Sequence, residues 1–238
     1  MQIQEFSHQF DTLLNSHAIA AGFDEQNNPA TIELDEYEKS LFLTNAQEEI
    51  ALSLYNGRNS SLQSFEETEE LRRYLSTLVQ EAELNPIEKN KPLGIDSKSK
   101  FFILPVNLWF ITYEAVAVEG GKCGEGFSQM VVPVTQDEYH RIKKNPFRGA
   151  NDRRALRLDL SDNIIEIVSK YTVSSYYVRY LKQLKPIILT QLDDDTQLRG
   201  ETTPMTSELP ESLHLKILNR AVELAIQSKG YARPNNRE

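Results

Sequence analysis

The chain has 238 residues, with 26 Lys+Arg against 35 Asp+Glu for a formal charge of −9, and 39% of its residues are hydrophobic. That length fits one large domain or two small ones, and the balance is that of a soluble chain. Its near-apolar runs, at 101–104 and 186–189, fall far short of the roughly 20 residues a membrane span needs, and a single cysteine, Cys123, excludes an intrachain disulfide or a multi-cysteine metal site.

The opening MQIQEFSHQFDTLL has no basic n-region and no small-residue cleavage site, so no secretory signal is expected. Residues 4–21 predict an amphipathic helix, with Phe6, Phe10, Leu13, Leu14 and Ala18 on one face. DEQNNP at 24–29 predicts a turn-rich loop. Residues 34–54 give the strongest helix: Asp35 is placed as N-cap with Glu38 at the capping-box position, and Tyr37, Leu41, Ala46, Ile50 and Leu54 form the expected apolar stripe. YNGRNSSLQS at 55–64 breaks it. A further helix is expected over 65–84 through Leu71, Leu75, Leu78 and Val79, with its acids in the first turns, followed by a polar connector over 85–100.

From residue 101 the apolar period changes from 3.6 to 2. Residues 101–104 and 108–118 (LWFITYEAVAV) are rich in aromatic and β-branched side chains and predict strands. EGGKCGEGF at 119–127, with glycines at 120, 121, 124 and 126, predicts a hairpin tip, and 130–134 the return strand. Thr135 and Glu138 form a second capping box, so a short helix is expected over 135–144, then a loop over 145–151. Strands follow at 155–160, 164–169 and 175–181, with Asp162-Asn163 as a tight turn and 186–189 as an edge strand or extended segment. DDD at 193–195 and residues 200–204 are loops. Residues 213–228 form an amphipathic helix, and 231–238 are polar and frayed. The expected fold is α+β: a helical region over 1–97 forming an N-terminal bundle, an antiparallel β region with a hairpin over 98–198, and a C-terminal helix and tail over 199–238 packing back on the bundle.

Charge is unevenly spread. Residues 1–97 hold 18 acids and 6 bases, whereas 98–198 hold 12 and 14, and 199–238 hold 5 and 6. Within the middle region, 139–157 carries Arg141, Lys143, Lys144, Arg148, Arg153, Arg154 and Arg157 against one acid, Asp152. Such a run can grip phosphates, with Tyr139 and Phe147 available to stack on bases. It can equally pair with the acidic third of a neighbouring copy, where bidentate Arg–carboxylate contacts fix register. The acidic chain and the lack of a nucleic-acid fold signature favour the protein partner, and nucleic-acid binding is the alternative.

Other candidate chemistry is weaker. The glycine-rich EGGKCGEG lacks the GKS or GKT leading into a helix that a phosphate loop requires. Cys123 has no orienting third group to make it a nucleophile with His140. Asp137, Glu138 and His140 sit together as DEYH, but hydrolytic metal sites draw ligands from several elements, and a capped surface helix explains the cluster. No catalytic, cofactor or metal residue is assigned.

Seven phrases carry a resemblance: EFSHQFDTLL (5–14), ELDEYEKSLFLTNAQEEIALSLYNG (33–57), FEETEELRRYLSTLV (65–79), KFFILPVNLWFITYEAV (100–116), VVPVTQDEYHRIKKNPFRGANDRRALRLDL (131–160), YYVRYLKQLKPIIL (176–189) and SELPESLHLKILNRAVELA (207–225). In these the chain resembles the head–tail connector (ring or neck) structural proteins of crAss-like tailed bacteriophages of Bacteroidetes, or of a related prophage. The 134–149 block (VTQDEYHRIKKNPFRG) is the most distinctive. The resemblance implies a non-enzymatic subunit without cofactor, assembled in about twelve copies as a ring around the DNA channel and docked on the portal. It implies as partners the chain itself, the portal protein, other tail or neck rings and, transiently, packaged DNA, with no membrane. It also implies residence in the virion neck, with assembly in the host cytoplasm. On that reading the basic segment makes intersubunit or phosphate contacts, and Gly120, Gly121, Lys122, Gly124 and Gly126 form a docking loop.

Overall fold

A computed structural model describes residues 1–20, 33–57, 67–88, 99–120 and 126–228. The chain divides into two units, one made of Met1–Leu78 with Leu184–Glu238, the other of Val79–Gln183.

In the first unit, α1 (Ile3–Ala20) buries Phe6, Phe10 and Leu14, and α2 (Glu36–Asn56) starts at the Asp35 cap, whose carboxylate accepts from the Glu38 N–H at 2.6 Å. Gly57, at φ 71°, closes α2 in the left-handed conformation that suits glycine. The last helix, α5 (Glu211–Ser228), buries Leu213, Ile217, Leu218, Ala221, Val222 and Ala225 and packs on α1 and α2. Arg220 of α5 pairs with Glu49 of α2 at 2.6 Å. Between α1 and α2, the buried Lys39 reaches Asp11 at 2.8 Å and Glu36 at 3.0 Å. Burial works against its ammonium charge, but those two carboxylates outweigh it and hold the pKa above the ordinary lysine value.

The expected stripe on α2 holds at Ala46 and Leu54 but not at Tyr37 and Leu41. Tyr37 and Leu41 are each 37% exposed, while Ser40, Thr44 and Gln47 are buried beside Leu43, Ala46, Ala51 and Leu54. The reason lies in residues 184–189, an extended segment buried along most of its length. Its backbone groups find partners on α2. Ser40 Oγ accepts from the Leu189 N–H at 3.0 Å, Thr44 Oγ1 accepts from the Ile187 N–H at 3.0 Å, and Gln47 Nε2 donates to the Lys185 carbonyl at 2.9 Å. A buried backbone needs partners, so a polar face of the helix is turned inward. The far side of the segment pairs through Ile188 with Met205.

The expected helix over 65–84 is cut short. Here α3 spans Glu69–Leu75 from the Thr68 cap, a 3₁₀ turn covers Ser76–Leu78, and β1 runs over Val79–Leu84. Val79–Leu84 alternates in burial, and Ala82 and Leu84 reach the sheet core, so pairing with a neighbouring strand overrides local helix preference.

The second unit is a seven-stranded sheet of β1, β2 (Lys100–Ile103), β3 (Leu108–Glu119), β4 (Phe127–Pro133), β5 (Arg154–Asp159), β6 (Ile164–Val168) and β7 (Thr172–Lys182), in the order β1-β7-β3-β4-β5-β6-β2. Beyond β1, Ile87 bridges to Phe101 of β2, so the two edges approach each other and the sheet curls. Phe102, Val116, Val131, Ile165, Ile167, Tyr176 and Val178 form its core. Asp162 and Asn163, at φ 61° and 57°, make the β5–β6 turn. One expectation is corrected: the sheet is mixed, because β4 and β5 pair in parallel from Met130↔Arg154 to Pro133↔Arg157. Parallel neighbours need a crossover of a dozen or more residues, and α4 (Gln136–Ile142) with the loop after it supplies one.

The Thr44→Val variant keeps the helix-facing shape but strips the Ile187 N–H of its partner. A loss of about 1–3 kcal/mol in urea unfolding is expected; an unchanged midpoint would show that this contact contributes nothing.

Candidate interaction surface

The crossover carries the basic segment, and the sequence there builds a rigid mount. Thr135 caps α4, with its hydroxyl accepting from the Glu138 N–H at 3.2 Å. Tyr139 and Ile142 bury against Leu156, Leu158 and Val168 and pin the helix to one face of the sheet. After α4, Asn145 Oδ1 accepts from the N–H groups of Phe147 (2.9 Å) and Arg148 (3.3 Å), a side-chain-closed turn. Gly149 is packed so closely that a Cβ there would lie 2.8 Å from the Asn145 carbonyl oxygen and 2.9 Å from that of Ile142. Asn151 Oδ1 accepts from the Arg153 N–H at 2.9 Å.

The loop is also tied to the sheet. Gln129 of β4, fully buried, donates from Nε2 to the Asn151 carbonyl at 2.8 Å and accepts from Ser169 Oγ at 2.7 Å. Asp152 receives Lys170 Nζ at 2.7 Å and the Tyr171 hydroxyl at 2.8 Å.

The seven basic residues divide into three groups on this frame. Arg141, Lys143, Lys144, Arg148 and Arg153 are exposed, and none has an ion pair among the described residues. Arg154 is half-buried and donates from Nη1 to the Phe147 carbonyl at 3.1 Å, so it serves the loop. Arg157 is buried. Along β5, Ala155 and Arg157 point into the sheet core while Leu156 and Leu158 face α4. Arg157 meets Glu114 Oε1 at 2.7 Å and lies 2.9 Å from Asp159, and the Tyr176 hydroxyl donates to Glu114 Oε2 at 2.8 Å. Burial opposes the guanidinium charge, yet Glu114 and Asp159 more than offset it and raise its pKa. Burial, reinforced by the Glu114 carboxylate, pushes the Tyr176 phenol far above its ordinary value. Arg157 therefore holds strands together and is not available for an external contact.

Phe147 caps the loop and is 83% exposed. A phenylalanine so placed forgoes about 1.5–3 kcal/mol of burial, on a loop whose backbone is held by Asn145, Gly149 and Asn151. On the same crossover, an open groove of about 500 Å³ is lined by Tyr139, Lys143, Lys144, Ala150 and Lys170, among others. The sequence named the cations and Phe147 but not the residues that position them. The signals were present: Asn-Pro turn chemistry at 145–146, and a lone Glu114 inside an aromatic strand, which calls for a buried partner.

Of the expected docking loop, Gly120 (φ 87°) and Gly126 are described and exposed, while Gly121, Lys122 and Gly124 lie outside the described residues, as does Cys123. β3 and β4 pair antiparallel up to Val118↔Phe127 on either side of it. Among the described residues no group of three or more His, Cys, Asp or Glu is placed to hold a metal ion, and no helix is long and apolar enough to cross a membrane.

The crossover thus presents an exposed phenylalanine and five exposed cations on a segment tied to the sheet. The sequence profile of the phage tail ring protein 3/4 family matches residues 1–237, and the chain belongs to that family of phage ring structural proteins. It is 46% identical over 232 residues to ring protein 3 of Bacteroides phage crAss001, covering 96% of each chain. It is also 29% identical over 235 residues to ring protein 4/5 of the same phage, covering 94% of this chain and 92% of that one.

Two substitutions check the mount. Gly149→Ala forces the Asn145 and Ile142 carbonyls apart and is expected to lower stability by about 1–3 kcal/mol. Glu114→Gln leaves Arg157 buried without its main counter-charge, and a loss of about 3 kcal/mol is expected in chemical denaturation. If both variants unfold with the parent chain, the account of the mount is wrong.

Proposed function

We propose that the chain is a non-enzymatic virion subunit that closes into a ring in the neck of a tailed phage, docks on the portal and surrounds the DNA channel. End-to-end similarity to proteins named for rings supports the structural role. The observation that carries the contact is an 83% exposed Phe147 on a braced loop, within one crossover that also bears five exposed cations without an ion pair among the described residues. Interface cores are enriched in aromatic residues and Arg, and a preorganised anchor lowers the ordering cost of association. A ring built from one chain needs two different complementary faces, and about twelve copies would match a portal of that symmetry. The chain's partners on this reading are its own copies, the portal and neighbouring neck rings. The loop Gly120–Gly126 serves as a second docking element, since a glycine-rich segment of seven residues has a large ordering entropy that a partner would offset. Assembly proceeds in the host cytoplasm before the virion is complete.

The same cations could hold phosphate, but a chain of net charge −9 is repelled by DNA as a whole, which suits passage through a channel better than capture. The triple variant Lys143→Glu, Arg148→Glu, Arg153→Glu separates the readings. It spares Arg154 and Arg157, so the monomer should keep its circular dichroism spectrum and melting temperature while failing to enter neck assemblies on portal-bearing heads. Normal incorporation would reduce the segment to a solvated face. Tight binding of the parent chain to duplex DNA at physiological salt, lost in the variant, would favour the nucleic-acid reading.

A further inference from the structure

We infer that the Phe147 mount docks on the N-terminal half of α2 in a second copy of this chain, at the patch made by Tyr37 and Leu41. The inference rests on the ring reading above and names the partner surface for its basic segment. Tyr37 and Leu41 stand one turn apart, so they share a helix face, and each is 37% exposed. They are the large apolar side chains that α2 leaves to solvent. Close to them in sequence the chain carries Glu33, Asp35 and Glu38, and the neighbouring base, Lys39, is buried and held by Asp11 and Glu36. The result is an apolar pair on an acidic stretch of chain.

The mount is its counterpart in each respect. One exposed aromatic ring, Phe147, stands in sequence between Arg141, Lys143 and Lys144 before it and Arg148 and Arg153 after it, all exposed and without an ion pair among the described residues. An apolar anchor with a charged rim of one sign fits an apolar seat with a rim of the other. The anchor then supplies affinity while the rim supplies orientation and association rate. The two patches belong to different units of the chain, Val79–Gln183 and Met1–Leu78 with Leu184–Glu238, so each copy offers both halves of a head-to-tail contact. The polar stripe Ser40, Thr44 and Gln47 adds the reason Tyr37 and Leu41 are free: the inward face of α2 is committed to the 185–189 backbone.

The test uses two full-length chains, both Cys123→Ser, one carrying Arg148→Cys and the other Asn45→Cys, a turn beyond Leu41 on the exposed face. They are mixed at high concentration, alone and with portal, and treated with a short bismaleimide. A 148–45 cross-linked heterodimer is expected. Adding Phe147→Ala to the first chain should cut its yield about tenfold or more, as for loss of a central anchor, without moving that chain's melting temperature. Rings visible by electron microscopy without the 148–45 product would overturn this contact and leave the ring reading standing. Absence of both rings and product under every condition would overturn both. If duplex DNA blocks the product by binding the parent chain but not Lys143→Glu, the mount is a nucleic-acid surface and the inference falls.

Discussion

Parallel pairing of β4 with β5 is the constraint on which the exposed cationic surface depends. Antiparallel neighbours can be joined by two residues, but parallel neighbours require the chain to travel the length of a strand and return. That return is where the basic segment sits. Its helix must bury Tyr139 and Ile142 to cover Leu156 and Leu158, so the rest of the crossover is pressed to the outside. The loop is then fixed by Asn145, Gly149 and Asn151, and tied to the sheet by the buried Gln129. Cations and an exposed phenylalanine end up on a stiff mount and not on a flexible tail.

The same strand decides which bases are external. Successive residues of β5 point to opposite sides of the sheet, so Arg157 enters the core with Ala155. There Glu114 and Tyr176 complete a buried hydrogen-bonded group. Removing one member leaves a buried charge unmatched, whereas exposed Arg148 or Arg153 can change sign with little effect on the fold. Buried structural charge and exposed charge are thus separated within one short run of sequence.

Much of this was legible beforehand, and the exceptions share a cause. The caps at Asp35 and Thr135, the strands at 101–104 and 108–118, the tight turn at Asp162-Asn163 and the last helix follow from local chemistry. The misreadings arise where distant backbone dictates local choice. Tyr37 and Leu41 look like a buried stripe until the extended 185–189 segment claims Ser40, Thr44 and Gln47. Val79–Leu84 continues a helical pattern until β7 offers a strand to pair with. The direction of β5 relative to β4 leaves no mark in composition or period. Arg157 is different: the alternation of RALRLDL places it opposite Leu156 and Leu158, and Glu114 supplies the matching charge.

On the proposed ring reading, the Phe147 mount is buried in an interface of the assembled ring and faces solvent in the free chain. Hydroxyl-radical footprinting read at Phe147 by mass spectrometry tests it directly, because oxidation follows the exposure of that ring. Strong oxidation is predicted in the isolated chain, with at least about tenfold protection once the chain is built into the neck, as expected of an anchor buried at the centre of an interface. Equal oxidation in both states, in preparations where the ring itself is confirmed by electron microscopy, would contradict the account.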